Sequence, residues 1–142
     1  MFNEGLLTPN DAFYVRYHLA GLPTDDIDPD TYQLAVKGLV ATPLSLSLAE
    51  IKAMPATEVV AVGQCSGNGR GFFEPRVAGG QAGNGLMGNA RWTGVPLCTV
   101  LDRAGVKAGA VQVQFNALDG PVADGTPDFA KALDLDHAAT GR

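Results

Sequence analysis

The sequence predicts an α+β fold in which mixed β-sheets and short helices are joined by long glycine-rich loops. Strand-like and short helix-like segments are mixed along the chain. In addition, 18 glycines and 9 prolines occur among 142 residues without an internal repeat, which indicates many tight turns. The hydrophobic fraction of 46% and the charged fraction of 18% are typical of a folded chain rather than a disordered one. We therefore expect residues 1–142 to belong to a single domain.

The first predicted strand covers residues 13–18, which are rich in aromatic and β-branched side chains and alternate in character. Side chains alternate between the two faces of a strand. One face would therefore carry Tyr14, Arg16 and His18, and the other would carry Phe13, Val15 and Tyr17. An arginine and a histidine would project together, although an exposed polar edge is the alternative interpretation.

The next segments predict a strand, a helix and a second strand. Residues 32–40 alternate in polarity and predict a strand that ends near Gly38. Ser47 and Glu50 have the spacing of a capping box, so a short helix should begin there and end before Pro55. Residues 58–63 are mostly apolar on both faces, which is typical of a buried central strand.

The second half of the chain predicts one long loop and three further elements. Residues 79–94 are rich in glycine and predict a long loop, a feature that is often functional. Apolar side chains at helical spacing predict a helix over residues 97–104, with Gly105 as its C-cap. Strict alternation predicts a strand over residues 111–115, and residues 129–134 predict the start of another short helix.

Charge and cysteine content exclude several classes of protein. The net charge of −5 and the absence of a lysine or arginine cluster argue against a nucleic-acid surface. No apolar run approaches the roughly 20 residues that span a bilayer, and we expect no signal peptide at residues 1–4. Two cysteines do not form a disulfide framework, and Cys98 has the sequence context of a small apolar residue at the start of a helix.

The segment 60–70 carries one cysteine, Cys65, from an apolar run into a loop of small residues that ends at Arg70. A thiol nucleophile would need a histidine base, for which the chain offers only His18 and His137, and the glycines that follow Cys65 cannot propagate a helix. A zinc site needs three or four ligands with paired spacing, and a phosphate-binding loop needs a following helix. A single thiolate that binds a soft metal inside a larger cofactor fits these residues best.

Two segments together resemble motifs of the molybdenum-cofactor domain of the sulfite oxidase family. They are Tyr14-Val15-Arg16-Tyr17-His18-Leu19 and Cys65-Ser66-Gly67-Asn68-Gly69-Arg70. Eukaryotic members carry F-V-R-N-H-L and C-A-G-N-R-R at these places, so Gly69 replaces one arginine of the family. The bacterial sulfite dehydrogenase and sulfane dehydrogenase branch looks closer, through Gly79-Gly80-Gln81 and residues 88–95.

The resemblance implies a molybdenum–molybdopterin cofactor and a set of site residues. Cys65 would be the thiolate ligand of molybdenum, with Ser66 next to it at the cofactor. Arg16 would lie at the sulfite pocket, His18 near the metal or pterin, and Asp119 against the pterin, while Arg70 would have a supporting position. The remaining residues of the first motif, Tyr14, Val15 and Tyr17, would also line the cofactor.

The resemblance further implies oxidation of sulfite, or a related sulfur oxyanion, to sulfate. Electrons would pass to a c-type cytochrome in the periplasm, and the full-length protein would form a homodimer or a heterodimer with a cytochrome subunit. The alternatives are a cofactor-free fragment or binding module of the same fold and a molybdopterin-dependent sulfoxide reductase, with plant-type nitrate reductase ranked lower. Family members are longer, so we expect this chain to be the N-terminal portion of the domain, truncated at its C-terminus.

Overall fold

The computed structural model describes residues 5–16, 27–118, 124–125 and 129–140. Six strands and three short α-helices lie in these ranges, and they confirm the predicted α+β class. In chain order they are β1 (Gln33–Val36), β2 (Leu44–Ser47), α1 (Leu48–Ala53), β3 (Thr57–Gln64), β4 (Met87–Gly94), α2 (Leu97–Ala104), β5 (Gln112–Asn116), β6 (Ala130–Asp134) and α3 (Leu135–Ala138). Two 3₁₀ turns, Asn10–Ala12 and Arg70–Phe72, complete the described elements.

The chain divides into two compact units. The first contains residues 1–17 and 58–93, and the second contains residues 18–57 and 94–142. Within the described ranges, every buried hydrophobic side chain belongs to the second unit: Val40, Leu46, Val100, Leu101, Ala104 and Ala138. Strands β1 and β2 of that unit form an antiparallel pair from Gln33 opposite Ser47 to Val36 opposite Leu44.

Helix α1 begins with the capping box that the sequence predicts. The backbone N–H and the hydroxyl of Ser47 both donate to the Glu50 carboxylate at 2.8 Å, and the Glu50 N–H donates to the Ser47 hydroxyl at 3.2 Å. These bonds from Ser47 lower the pKa of the Glu50 carboxyl below its ordinary value of 4.5. Met54 is the C-cap, so the predicted end before Pro55 is confirmed.

Helix α2 also has the predicted bounds, and it supplies part of the core of the second unit. Val100, Leu101 and Ala104 form its buried face. Gly105 ends the helix at a φ of +68°, a left-handed conformation that glycine adopts without a steric penalty. The chain then pairs with residues 39–42 through an antiparallel bridge between Val40 and Val106.

The short helix predicted over residues 129–134 is wrong, because this segment is strand β6. Its residues pair antiparallel with β5, from Gln112 opposite Asp134 to Asn116 opposite Ala130. Alanine, lysine and leucine favour a helix locally, but the ladder to β5 satisfies the backbone and overrides that preference. The predicted strand over residues 111–115 is confirmed as β5.

Strand β3 of the first unit confirms the strand predicted over residues 58–63, but it is not buried. Val59, Val60 and Val62 are 58%, 47% and 53% exposed. Among the described strands, β3 pairs with β4 alone in a two-stranded sheet. A central strand pairs with a neighbouring strand on each of its two edges. Among the described residues β3 has a neighbour on one edge, so the predicted central position is not found there.

Strand β4 occupies the second half of the segment predicted as one glycine-rich loop, so that prediction is wrong for residues 87–94. Glycines at both ends of the segment dilute the alternation from which a strand is recognised. Trp92 ties β4 to β3, since its indole N–H donates to the Ala61 carbonyl at 3.0 Å. Arg91 also forms an ion pair with Glu58 of β3.

The strand predicted over residues 13–18 is wrong for residues 13–16, which have no strand assignment. The Phe13 N–H bonds to the Asn10 carbonyl at 3.4 Å and caps a 3₁₀ turn instead of joining a ladder. The predicted alternation also fails, because Phe13 and Tyr14 are both half-buried and Val15 is 73% exposed. Tyr17 and His18 lie outside the described residues.

The Phe13 ring packs directly on the β3–β4 sheet at two glycines. A Cβ added to Gly88 would lie 2.6–2.9 Å from three atoms of the ring, and one added to Gly63 would lie 3.4 Å from it. Trp92 meets the same ring edge to face at a centroid distance of 5.9 Å. The absence of a side chain at Gly63 and Gly88 therefore leaves room for the Phe13 ring, which holds the segment preceding Tyr14 against the sheet.

Replacing Gly88 by alanine should destabilise the protein. The added methyl group has to displace the Phe13 ring, and overpacking of this kind costs about 1–3 kcal/mol of the free energy of unfolding. Chemical denaturation measures the difference, and Gly85→Ala is the matched control because nothing lies within 4 Å of its added Cβ. Equal stabilities for the two variants would contradict the packing described for Phe13.

No helix in the described ranges has both the length and the apolar character needed to cross a membrane.

Candidate functional site

Cys65 directly follows strand β3, and backbone hydrogen bonds hold it on both sides. Its N–H donates to the Leu86 carbonyl at 3.0 Å, and its carbonyl accepts from the Asn68 N–H at 3.0 Å. The second bond closes a turn over residues 65–68. The thiol is free and half-buried. As the sequence predicts, no α-helix begins at Cys65, and only the 3₁₀ turn Arg70–Phe72 follows.

The Cys65 sulfur accepts a hydrogen bond from the protein backbone. The donor is the N–H of Gly67, which lies 3.4 Å from Sγ, and Gly67 is itself buried. The thiolate is the form of cysteine that binds metals. This contact is made by the backbone and not by a side chain. Cys65 is thus arranged as a donor atom with one stabilising contact.

Asn68 joins the cysteine turn to the segment that precedes and begins β4. Its carbonyl oxygen accepts from the Leu86 N–H at 2.9 Å, and its amide nitrogen lies 3.8 Å from the Met87 sulfur. The same segment supplies the carbonyl that accepts from the Cys65 N–H. The turn is therefore bonded to one short stretch of chain through both its backbone and a side chain.

Further along the loop, two glycine amides continue this pairing. The Gly69 N–H donates to the Gly83 carbonyl and the Gly71 N–H donates to the Ala82 carbonyl, both at 2.9 Å. Gly69 has a φ of +78°, where a residue with a Cβ would be strained, so glycine suits the position at which the eukaryotic motif has arginine. These backbone bonds fix the conformation of the loop that follows Cys65, although the bonded residues form no strand.

The guanidinium group of Arg70 lies between the backbones of two glycines. A Cβ on Gly67 would lie 3.6–3.7 Å from three guanidinium atoms, and one on Gly79 would overlap Nη1. In the ranges that the structure describes, no hydrogen bond or ion pair involves the Arg70 side chain. Its position is set by packing, and its donors are not satisfied by these residues.

Of the first motif, the described residues Tyr14, Val15 and Arg16 belong to the same compact unit as Cys65. Phe13 packs on Gly63, which is two residues before Cys65, and Tyr14 stacks on Phe13 at a centroid distance of 5.4 Å. Val15 and Arg16 follow as exposed residues. The predictions for Tyr17, His18 and Asp119 fall outside the described residues, so their proposed roles stay predictions.

A metal site made only of protein side chains is not found in the part of the chain that the structure describes, where no three His, Cys, Asp or Glu residues cluster. The described residues of the first unit, 5–16 and 58–93, also contain no histidine. A cysteine–histidine pair therefore cannot be assembled from them. The chemistry that they support is that of a single thiolate, backbone amides and an arginine.

Sequence reasoning did not assign a role to Gln81 or Asn68, although both make structural bonds around the site. The Gln81 amide donates to two carbonyls in its own loop, those of Val77 and Gly79. Each is an amide side chain within a glycine-rich segment that carries the family resemblance, and this is the signal that the sequence offers for either residue. Such a signal does not reveal which carbonyl the amide bonds.

Comparison with known proteins gives one consistent family. Residues 20–142 match the family profile described as "Oxidoreductase molybdopterin binding domain". The chain is 36% identical to mitochondrial sulfite oxidase of Rattus norvegicus over 143 residues, which covers 94% of this chain and 26% of that protein. It is 38% identical to the mitochondrial sulfite oxidase of Drosophila melanogaster over 139 residues, 92% of this chain and 23% of that protein.

A solved structure agrees with the sequence relatives. The sulfane dehydrogenase SoxCD of Paracoccus pantotrophus superposes with a TM-score of 0.65 at 26% identity, covering 80% of this chain and 28% of that one. The chain thus spans about a quarter of the length of the curated relatives that it matches. Its fold is the sulfite-oxidase-type molybdopterin-binding fold. The chain therefore belongs to the oxidoreductase molybdopterin-binding domain family.

Proposed function

We propose that this chain is part of a molybdenum-dependent oxidoreductase that oxidises sulfite or a related sulfur oxyanion to sulfate. The observation that carries the proposal is a pair of groups that both contact Gly67. The half-buried Cys65 thiol accepts a hydrogen bond from the Gly67 N–H, and the Arg70 guanidinium packs on Gly67 and has no polar partner among the described residues. A soft donor and an anion-binding group are therefore two residues of one loop. Similarity to sulfite oxidases over 94% of the chain supports the same reaction.

The donor set fits a molybdenum–molybdopterin cofactor. Thiolates bind soft metals, and a metal that carries its own ligands needs only one cysteine from the protein. Cys65 is the residue that would hold the metal, and the glycines at positions 67, 69 and 71 have no side chain that would obstruct the close approach of a bulky group. When bound, the cofactor supplies two-electron redox chemistry coupled to oxygen transfer.

Arg70 and Arg16 would bind the oxyanion. A guanidinium presents parallel N–H donors that match the oxygens of a small anion in a bidentate arrangement. Arg70 has the stronger structural support, since its donors have no partner among the described residues and its position is defined by Gly67 and Gly79. We therefore give Arg70 a direct role at the anion in place of the supporting position that the resemblance implies.

The overall step converts sulfite and water into sulfate, two protons and two electrons. We propose a c-type cytochrome as the electron acceptor and the periplasm as the location. Both follow from the resemblance to the bacterial sulfite dehydrogenase and sulfane dehydrogenase branch. We also propose residues 1–142 as one part of a larger cofactor domain, in a protein that forms a homodimer or a complex with a cytochrome subunit. His18, Tyr17 and Asp119 remain proposed cofactor contacts, as do Tyr14, Val15 and Ser66.

Molybdenum content and sulfite turnover test the proposed function together. The complete polypeptide encoded by the reading frame that contains this sequence should be produced in a host that makes molybdopterin, and its metal measured by elemental analysis. We expect stoichiometric molybdenum and reduction of ferricyanide that depends on sulfite. A folded protein without molybdenum would contradict the proposal and favour a cofactor-free binding module.

A further inference from the structure

Gln81 uses both hydrogens of one amide nitrogen to bind its own loop. Its Nε2 lies 2.9 Å from the Val77 carbonyl and 2.7 Å from the Gly79 carbonyl. The two acceptors are two residues apart, so the side chain closes the stretch 77–79 into a compact turn. These bonds fix that turn to the segment 81–83, which is itself paired with Gly69 and Gly71.

The turn that Gln81 closes contains Gly79, whose backbone approaches Arg70. Gly79 lies so close to the guanidinium that its missing Cβ would overlap Nη1, and Gly67 lies on the cysteine turn at ordinary contact distance. Gly79 also has a φ of +109°, so both its backbone conformation and its closeness to Arg70 require glycine. A shift of residues 77–79 would remove one of the contacts that hold the arginine.

Among the described residues, packing on the glycines is not supplemented by polar contacts to the Arg70 side chain. The Arg70 side chain has no hydrogen bond or ion pair there, so no carboxylate or carbonyl orients it. An arginine without a fixed partner has many rotamers, and ordering such a side chain costs free energy whenever a ligand binds. A backbone wall held in place by Gln81 would lower that cost before the anion arrives.

We propose that Gln81 is a positioning residue for Arg70 and, through it, for the oxyanion substrate. The inference rests on the proposed function for the anion, but the placement of Arg70 is a separate and separately testable step. Pairing of the loop does not depend on Gln81, because the amides of Gly69 and Gly71 bond to residues 82–83 through backbone alone. Loss of the side-chain amide should therefore release residues 77–79 and leave the cysteine turn intact.

The test is the rate at which phenylglyoxal modifies Arg70, measured by mass spectrometry of peptides from the complete protein. Loss of a hydrogen bond should raise local opening, so we expect Gln81→Ala to increase the Arg70 rate about fivefold. Gln81→Met removes the donors while nearly keeping the size of the side chain, and it should give the same increase if alanine impairs folding. Arg91, which pairs with Glu58 on the sheet, should keep its rate and serves as the internal reference.

Asn84→Ala is the matched control, because Asn84 is an exposed amide in the same loop that makes no hydrogen bond to the described residues. In steady-state kinetics, both Gln81 variants should raise KM for sulfite about fivefold with a smaller change in kcat and unchanged molybdenum content.

Equal Arg70 modification rates in Gln81→Met and Asn84→Ala would overturn the proposal. A raised modification rate without a raised KM would overturn its link to the anion. A protein without molybdenum or turnover would refute the proposed function, while the modification rates would still decide whether Gln81 positions Arg70.

Discussion

Cys65→Ser should abolish measurable oxidation of sulfite. The substitution replaces the proposed thiolate ligand with a hydroxyl, which is a harder and weaker donor for a soft metal. Loss of an outer partner of a metal ligand already costs about 10–100-fold, so loss of the ligand itself should exceed that range. Turnover with ferricyanide per bound molybdenum is the measurement, because normalisation separates loss of chemistry from loss of cofactor.

Cys98→Ser is the matched control, since Cys98 is the other free and half-buried cysteine. It lies in α2, in the second unit, and the proposed chemistry gives it no role. We expect the turnover of this variant to remain within about twofold of the wild type, in keeping with a structural role for a semi-buried thiol. Equal turnover for Cys65→Ser and the wild type would show that Cys65 is not the ligand.

Arg70→Gln should raise KM for sulfite by about 10- to 100-fold. Hydrogen bonds to a charged partner contribute about 1.5–3 kcal/mol, and each 1.4 kcal/mol corresponds to a factor of ten in affinity. Glutamine keeps a polar side chain but loses the positive charge and the parallel donors. Competition by sulfate, which resembles the product in charge and shape, should weaken in parallel.

Arg91→Gln separates this effect from a general loss of positive charge. Arg91 is 55% exposed on β4 and already pairs with Glu58, so its charge is not available to the anion. We expect KM to stay unchanged in this variant, with a stability loss of no more than about 1 kcal/mol. A similar rise in KM for both arginine variants would mean that net charge, rather than the placement of Arg70, controls binding.

The elements with complete local signals were predictable from sequence. Helix α1 has a capping box and α2 has both an apolar face and a glycine C-cap, so their positions follow from short-range physics. The prediction for residues 129–134 was wrong because these residues favour a helix locally and form strand β6 by pairing with β5. The prediction for residues 13–16 was wrong in the opposite sense, because a strand was expected and none forms. The strand-like composition there includes Phe13, whose ring packs on Gly63 and Gly88.

The candidate site was predictable at Cys65 and much less so around it. The apolar run, the glycine loop and the absence of a following helix predict the cysteine as a single donor, which stays a prediction, and the structure adds the Gly67 N–H at its sulfur. The enclosure of Arg70 was not predictable, because it depends on Gly79 approaching from nine residues away and on an amide that selects two particular carbonyls. Glycine content alone indicates that close approaches exist without indicating which groups approach.

The central claim, that Cys65 is the protein ligand of molybdenum, is tested most directly by X-ray absorption fine structure at the molybdenum edge. The spectrum should be recorded for the wild type, Cys65→Ser and Cys98→Ser and normalised to bound metal. We predict one sulfur neighbour fewer at molybdenum in Cys65→Ser than in the other two proteins. The same number of sulfur neighbours in all three would contradict the assignment of Cys65.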